Sequence, residues 1–431
     1  MTCISGAVSG CHAIFSSFFM HSLFYYFTSS EDMSATSEEI LGWSAKQGSI
    51  LVGGGLLNER QLPGRDFDDE ELPHFLLRHN LCQEIFHQWA LRDLRGGLAG
   101  AWSRPLFSGG WQESTDKDTL AFNLQSPSLF VDIRIPVDRP QSLMRKKSLA
   151  DCSFADLRYL ARQHCFSGYS LPSEDGVVYT RHHAIDWNYH PSFPRSRPNK
   201  WRAEMNKDNL MSFKEFSTTL DINQIPVYME RWQRFSGDQM GEKYFAAYRK
   251  GKLPSQGFSE TDRVFRKAVL VLVGGHFAFA LDRPYIPDFK GAPGPGGPAL
   301  IDYAAKIGDR RSAEAYLDLE GSYGQTNFNK CGRSGSNLKI VKSTHPWREG
   351  KKLFDRDDAE GGVTLTITSS QGTTLLSDVP EAMCLSLQWG GYEWTVFENS
   401  YSLAELRNMF GMEGVVQSAS NSIVKSVRSR L

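Results

Sequence analysis

At 431 residues the chain is too long for one ordinary hydrophobic core, and at roughly 150 residues per domain it predicts two or three. Charged residues make up 23% and hydrophobic residues 40%, which excludes a disordered chain and a bundle of membrane helices, so no integral membrane insertion is expected. A formal net charge of −1 excludes the basic excess of most nucleic-acid binders, so no nucleic-acid partner is expected either.

Residues 1–33 carry an apolar patch, Ile14 to Phe27, broken by serines and His21. It lacks the basic start of a secretory signal and the length of a spanning helix. This segment reads as a leader, a degenerate targeting segment or disordered chain. Gly53-Gly54-Gly55 reads as a turn, since no basic residue or helix start follows to make a phosphate cradle. A helix is predicted over Glu71 to Leu94 on the apolar spacing of Leu72, Phe75, Leu76, Ile85, Phe86, Trp89 and Leu94.

Strands dominate from there. Leu129 to Ile135 alternates, with Val131 and Ile133 on one face and Asp132 and Arg134 on the other. A helix is predicted over Phe154 to Cys165, opened by a capping box of Ser153 and Asp156 and closed before Gly168. Val177 to Trp187 is a further extended run. Gly274-Gly275 joins Val269–Val273 to His276–Leu281, and Gly390-Gly391 joins Met383–Trp389 to Tyr392–Phe397. Two-residue hairpins need positive φ, which glycine supplies, and they leave no room for the crossover helix of a parallel sheet. Gly291 to Pro298 (GAPGPGGP) reads as a loop or linker. Val363 to Thr368 alternates strictly, and a short helix over Leu403 to Phe410 precedes a polar tail containing Lys425, Arg428 and Arg430.

Gly100-Ala101-Trp102, placed between a helix with a glycine-rich turn and the β region, resembles the G-x-W opening of lipocalins. In that family a helical turn closes one end of a β-barrel and the tryptophan packs at its base. The run Asn123 to Pro136, with Trp111 and Glu113 upstream, is similar to a group of uncharacterised bacterial and fungal proteins built from two such barrels. A weak echo, in which Trp111-Gln112 and Trp232-Gln233 precede strands ending in Asp138-Arg139-Pro140 and Asp282-Arg283-Pro284, fits a duplication. The expected fold is mainly β, or β-rich α+β. It has two lipocalin-like antiparallel barrels, over 34–215 and 216–412, with helical insertions and a tail from 413.

Arg181-His-His-Ala-Ile-Asp-Trp-Asn-Tyr-His190 gathers three histidines, a carboxylate and two aromatics. On a strand His182 and Asp186 share a face but lie about 13 Å apart at ~3.3 Å per residue, too far for one zinc ion with ligands at ~2.0–2.2 Å. No metal and no cofactor are therefore expected. The alternative is general acid/base chemistry, with His182 or His183 oriented by Asp132 or Asp186 and with Arg134 nearby. The plainer reading of each histidine is a hydrogen bond across a sheet. Asp132 and Arg134 line a polar site if their face lines a barrel and are surface charges if it meets solvent. The apolar face of their strand is the better core face, which favours solvent. Trp111, Arg181, Trp187, His276 and His345 are the candidate ligand-binding residues.

Aromatics reach 12% of the chain, enough to line a small-molecule cavity as well as to fill cores. Seven scattered cysteines with no CxxC pair favour a reducing compartment, such as the cytoplasm, over a disulfide scaffold or a thiolate zinc site. The sequence lacks GxSxG, P-loop, GxGxxG and HExxH motifs. Binding of a small hydrophobic or amphipathic molecule inside a barrel is the leading expectation. A cofactor-free isomerase, cyclase or lyase on the same scaffold, and an interaction module with filled barrels, are the alternatives.

Overall fold

The computed structural model describes residues 98–417, except 110–117, 127–128, 173–176, 191–198, 207–209, 236–242, 250–265, 288, 295, 327–337, 355–363, 369–383, 390–391 and 411–415. The segment 1–33, the helix expected over Glu71–Leu94, the glycines at 53–55 and Trp111 therefore lie outside the described residues.

Eight strands close into an antiparallel barrel in which each pairs with its sequence neighbour. They are β1 (Gly100–Gly109), β2 (Thr119–Gln125), β3 (Leu129–Pro136), β4 (His164–Pro172), β5 (Val178–Asp186), β6 (Asn199–Met205), β7 (Ser212–Ser217) and β8 (Tyr228–Arg234), which returns to β1. Helix α1 (Phe154–Leu160) lies between β3 and β4. Its capping box is present: the Ser153 hydroxyl accepts from Asp156 N, and the Asp156 carboxylate accepts from Ser153 N at 2.8 Å. The helix is shorter than the spacing predicts. The Gln163 amide donates to the carbonyl of Leu160 at 3.1 Å, and the chain turns into β4 one residue later. Gly168 thus belongs to a strand and not to a helix cap. At the β4–β5 bulge a Cβ on it would lie 1.9 Å from the carbonyl oxygen of His182.

Nine further strands form a second sheet, in the order β13-β12-β11-β10-β9-β16-β15-β14-β17. They are β9 (Tyr244–Arg249), β10 (Ala268–Val273), β11 (His276–Leu281), β12 (Glu320–Thr326), β13 (Leu338–Ser343), β14 (Thr364–Thr368), β15 (Cys384–Trp389), β16 (Tyr392–Asn399) and β17 (Val416–Gln417). All pairs are antiparallel except β14 with β17. The expectation of an antiparallel, strand-rich fold holds. Where a second barrel is expected, the described residues give this sheet. Both predicted strand pairs are present, with Val273 opposite His276 and Trp389 opposite Tyr392, while Gly390 and Gly391 lie outside the described residues. Gly274 takes φ 51° at the first turn.

The GAPGPGGP segment is only partly a loop. Helix α2 (Gly297–Ile307) begins inside it with proline in its first turn, where the missing N–H removes no helical bond. Helix α3 (Arg310–Leu317) follows, capped by Asp309, whose carboxylate accepts from Ser312 N at 3.0 Å. Helix α4 spans Leu403–Phe410, as the sequence predicts, and lays Leu406, Met409 and Phe410 onto the apolar face of the second sheet. No described helix is long and apolar enough to cross a membrane.

The second sheet packs on the outside of the barrel, β10, β11 and β12 lying against β2, β3 and β4. Gly321 of β12 permits the approach, since a Cβ there would fall 2.7 Å from Cys165 Sγ and 3.2 Å from the Ile133 side chain. Phe122, Phe235, Tyr323 and His276 stack at this junction, Phe122 and Tyr323 with ring centroids 4.3 Å apart. The apolar face of β3 is therefore covered by the second sheet, and its other face turns into the barrel.

Candidate functional site in the barrel lumen

On five barrel strands an aromatic and a charged residue stand two apart and so share one face: Trp102 and Arg104, Phe130 and Asp132, Tyr179 and Arg181, Phe213 and Glu215, and Glu230 and Trp232. Their ion pairs join strands that are not neighbours. Arg134 of β3 meets Glu230 of β8 at 3.2 Å, and Arg181 of β5 meets Asp132 of β3 at 3.5 Å. In a closed barrel such pairs can only cross the interior, so this face is the lumen. Asp132 and Arg134 consequently do not face solvent as their strand's alternation favours. Asp132 is fully buried, and the Arg134 side chain retains 21% exposure.

The charges form one network. Arg134 grips Asp132 through two hydrogen bonds of 3.0 Å. Glu230 Oε1 also accepts from Arg104 at 2.6 Å. Arg181 reaches Asp132 and Gln125, each at 3.5 Å, the outer limit of a hydrogen bond. Its guanidinium lies between the rings of Phe130, at 4.4 Å, and Trp201, at 4.9 Å. Burial would raise the Asp132 carboxyl, but Arg134, Arg181 and Arg104 together outweigh it and hold the group below the usual carboxylate range. Glu215 differs. Its oxygens accept from Tyr228 Oη and Trp232 Nε1, both at 3.1 Å, and neither donor is charged. Burial first, then the like charge of Glu230, push its carboxyl up to about 7 against the pull of Arg181 and Arg134.

Beside the charges lies an apolar cluster of Leu98, Trp102, Ala121, Tyr179, Trp201, Phe213 and Trp232. Trp102 donates from Nε1 to the carbonyl of Leu98 at 2.8 Å, meets Phe213 edge-on and lies under the Arg234 guanidinium. Among the described residues, five buried lumen atoms lack a hydrogen-bond partner: Asn123 Oδ1, Ser170 Oγ, Arg181 Nε, Trp201 Nε1 and Glu230 Oε2.

The structure brings some sequence candidates together and separates others. Asp132, Arg134 and Arg181 belong to the lumen network. His183 joins Asp186, with Nδ1 3.2 Å from the carboxylate, and packs on Phe130 and Phe166, so one aromatic ring links it to Arg181. His182 lies flat on Tyr169 with centroids 4.4 Å apart, and burial followed by the neighbouring His183 lowers its pKa to about 3. Trp187 is buried against Tyr316 of α3. His276 Nδ1 lies 2.8 Å from Tyr323 Oη at the junction with the second sheet. His345 bonds through Nε2 to the Leu317 carbonyl at 3.1 Å, and burial lowers its pKa. Trp187, His276 and His345 thus have packing partners away from the charged network. Among the described residues no group of three His, Cys, Asp or Glu side chains has metal-ligand geometry. Cys152 and Cys165 are free and buried.

Arg104, Glu215, Glu230 and Trp201 were not singled out from the sequence. The pattern that marks them is the repeated aromatic–x–charge spacing, which shows itself only when the strands are compared.

No family model matches the chain, and no curated protein matches it. Among solved structures, an uncharacterised protein from Saccharomyces cerevisiae is similar with a TM-score of 0.36 at 11% identity, over 70% of this chain and 98% of that one. Likeness at that level assigns neither fold nor function.

Proposed function

We propose that the barrel lumen binds a small amphipathic molecule. The observation that carries this reading is the lining itself: eight charged side chains and an aromatic cluster share the inside of one closed barrel. A lumen that served only as a core would be filled more stably by apolar side chains, because buried ion pairs rarely recover their desolvation. Aromatic walls with a few placed polar groups are the usual lining of a ligand site. A neutral fluorescent probe, phenylnaphthylamine, mixed with the full chain should gain fluorescence by energy transfer from the lumen tryptophans. Ala203 lies opposite Glu215 and against the aromatic cluster, so A203W should abolish the signal by filling the lumen. No transfer in the parent chain, or equal transfer in folded A203W, would overturn the reading.

Catalysis without a cofactor is the second reading, and Glu215 is what favours it. A carboxyl poised near neutral pH, beside guanidinium groups that stabilise developing negative charge, is the equipment of a general base.

A further inference from the structure

Two of the unpartnered lumen atoms, Arg181 Nε and Trp201 Nε1, are hydrogen-bond donors, and they belong to side chains stacked on each other at 4.9 Å. A buried donor without an acceptor costs about 1–3 kcal/mol, more when charged, so this pair calls for acceptor oxygens between them. Arg181 is also the least used guanidinium of the network, since its two carboxylate and amide contacts are both 3.5 Å long. Arg134 and Arg104 are already committed to Asp132 and Glu230 at 2.6–3.2 Å.

Charge balance adds a second constraint. Arg104, Arg134, Arg181 and Arg234 share the lumen face with Asp132, Asp186, Glu215 and Glu230, four against four when all are ionised, and Asp186 is already paired with His183 and the Asn188 backbone N–H. An entering anion would leave the lumen one negative charge in excess where water screens little. One carboxylate must then take a proton. Asp132 is held by a bidentate guanidinium, and Glu230 by two guanidinium groups. Among the described residues Glu215 makes no ion pair. It accepts from Tyr228 and Trp232 of β8, and it feels the charges of Glu230 from β8 and of Arg134, Asp132 and Arg181 from β3 and β5. The His183–Asp186 pair lies beyond Phe130.

We propose that the lumen takes an organic monoanion, its charged oxygens received by Arg181 Nε and Trp201 Nε1, and that Glu215 takes up a proton as the anion enters. The inference rests on the binding function proposed above and names the chemistry of its ligand. Glu215 already titrates near neutral pH, so the added negative charge shifts it across the physiological range.

Octanoate and octan-1-ol share one tail and differ in the headgroup. Each is titrated calorimetrically into the full chain, in two buffers of different ionisation enthalpy, at about pH 6 and about pH 8. Octanoate should bind at least about tenfold more tightly than the alcohol. R181M should remove that preference while still binding octan-1-ol, and W201F should weaken octanoate alone. Proton uptake with octanoate should approach one near pH 8 and vanish near pH 6, where Glu215 is already protonated. E215Q should show no uptake at either pH. Equal binding of acid and alcohol, or octanoate binding without proton uptake near pH 8, overturns this inference and leaves the barrel as a binding site. Failure of both ligands to bind overturns the function together with the inference.

Discussion

At the scale of single residues, the lumen carboxylates Asp132 and Glu230 are held by guanidinium groups, whereas Glu215 is held by uncharged donors. Glu230, itself buried, receives the buried Arg104 and the partly exposed Arg134. Glu230→Ala should therefore destabilise the fold by about 3–5 kcal/mol, because it removes the carboxylate that receives the buried Arg104 guanidinium at 2.6 Å. The Arg158–Asp302 pair at 2.9 Å has side chains more than half exposed, and Arg158→Ala should change stability by less than about 1 kcal/mol. Urea unfolding of both variants checks the contrast. Glu215 sets a pH dependence of definite sign. Its carboxyl binds a proton more tightly in the folded chain, at about 7, than at its ordinary 4.5, so folding is favoured below 4.5 and that advantage is lost as pH rises to 7. The loss is on the order of 3 kcal/mol at 1.36 kcal/mol per unit. His182, depressed to about 3, works the other way, since stability falls as pH drops below 6.5. The two slopes oppose each other in the parent chain. The difference between parent and E215Q isolates Glu215, and a pH-independent difference between pH 4.5 and 7 would contradict its assignment.

At the scale of elements, the boundaries set by local chemistry were legible and those set by distant contacts were not. The capping box of Ser153 and Asp156, the Gly274-Gly275 hairpin, the pairing of Trp389 with Tyr392 and the helix over Leu403–Phe410 depend on neighbours in sequence, and each appears where its residues predict. The end of α1 depends on Gln163, which also donates to the Thr344 carbonyl at 3.0 Å from a distant part of the chain, and no local pattern announces that. Gly168 shows the same limit. It follows a helix as a cap would, yet what demands glycine is the His182 carbonyl on the next strand. Gly168→Ala should accordingly cost more stability than Ser153→Ala, whose lost cap is worth about 1 kcal/mol. Equal melting shifts for the two variants would show that the β4–β5 bulge relaxes without strain. The side of β3 that carries Asp132 and Arg134 was open for a related reason. Alternation distinguishes two faces of a strand, and here one faces the lumen and the other a second sheet, so both are buried.

At the scale of the molecule, the two sheets have different interiors. The apolar face of the second sheet is covered by Leu406, Met409 and Phe410 of the chain's own helix, with Trp389 and Trp394 stacked 5.3 Å apart beneath. The barrel lumen instead keeps charge and aromatic surface together. Much of the candidate site was visible as residues but not as a set: Asp132, Arg134 and Arg181 drew attention as charges on strands, while Arg104, Glu215 and Glu230 joined them only through barrel closure. That closure also sorts the tryptophans, and this permits a direct test of where a ligand sits. The full chain, labelled with fluorotryptophan and assigned by single Trp→Phe substitutions, is titrated with octanoate and followed by fluorine NMR. The Trp201 and Trp232 resonances should move with added octanoate while those of Trp389 and Trp394 stay in place. Movement confined to Trp389 and Trp394, or no movement at Trp201, would contradict a binding site in the barrel lumen.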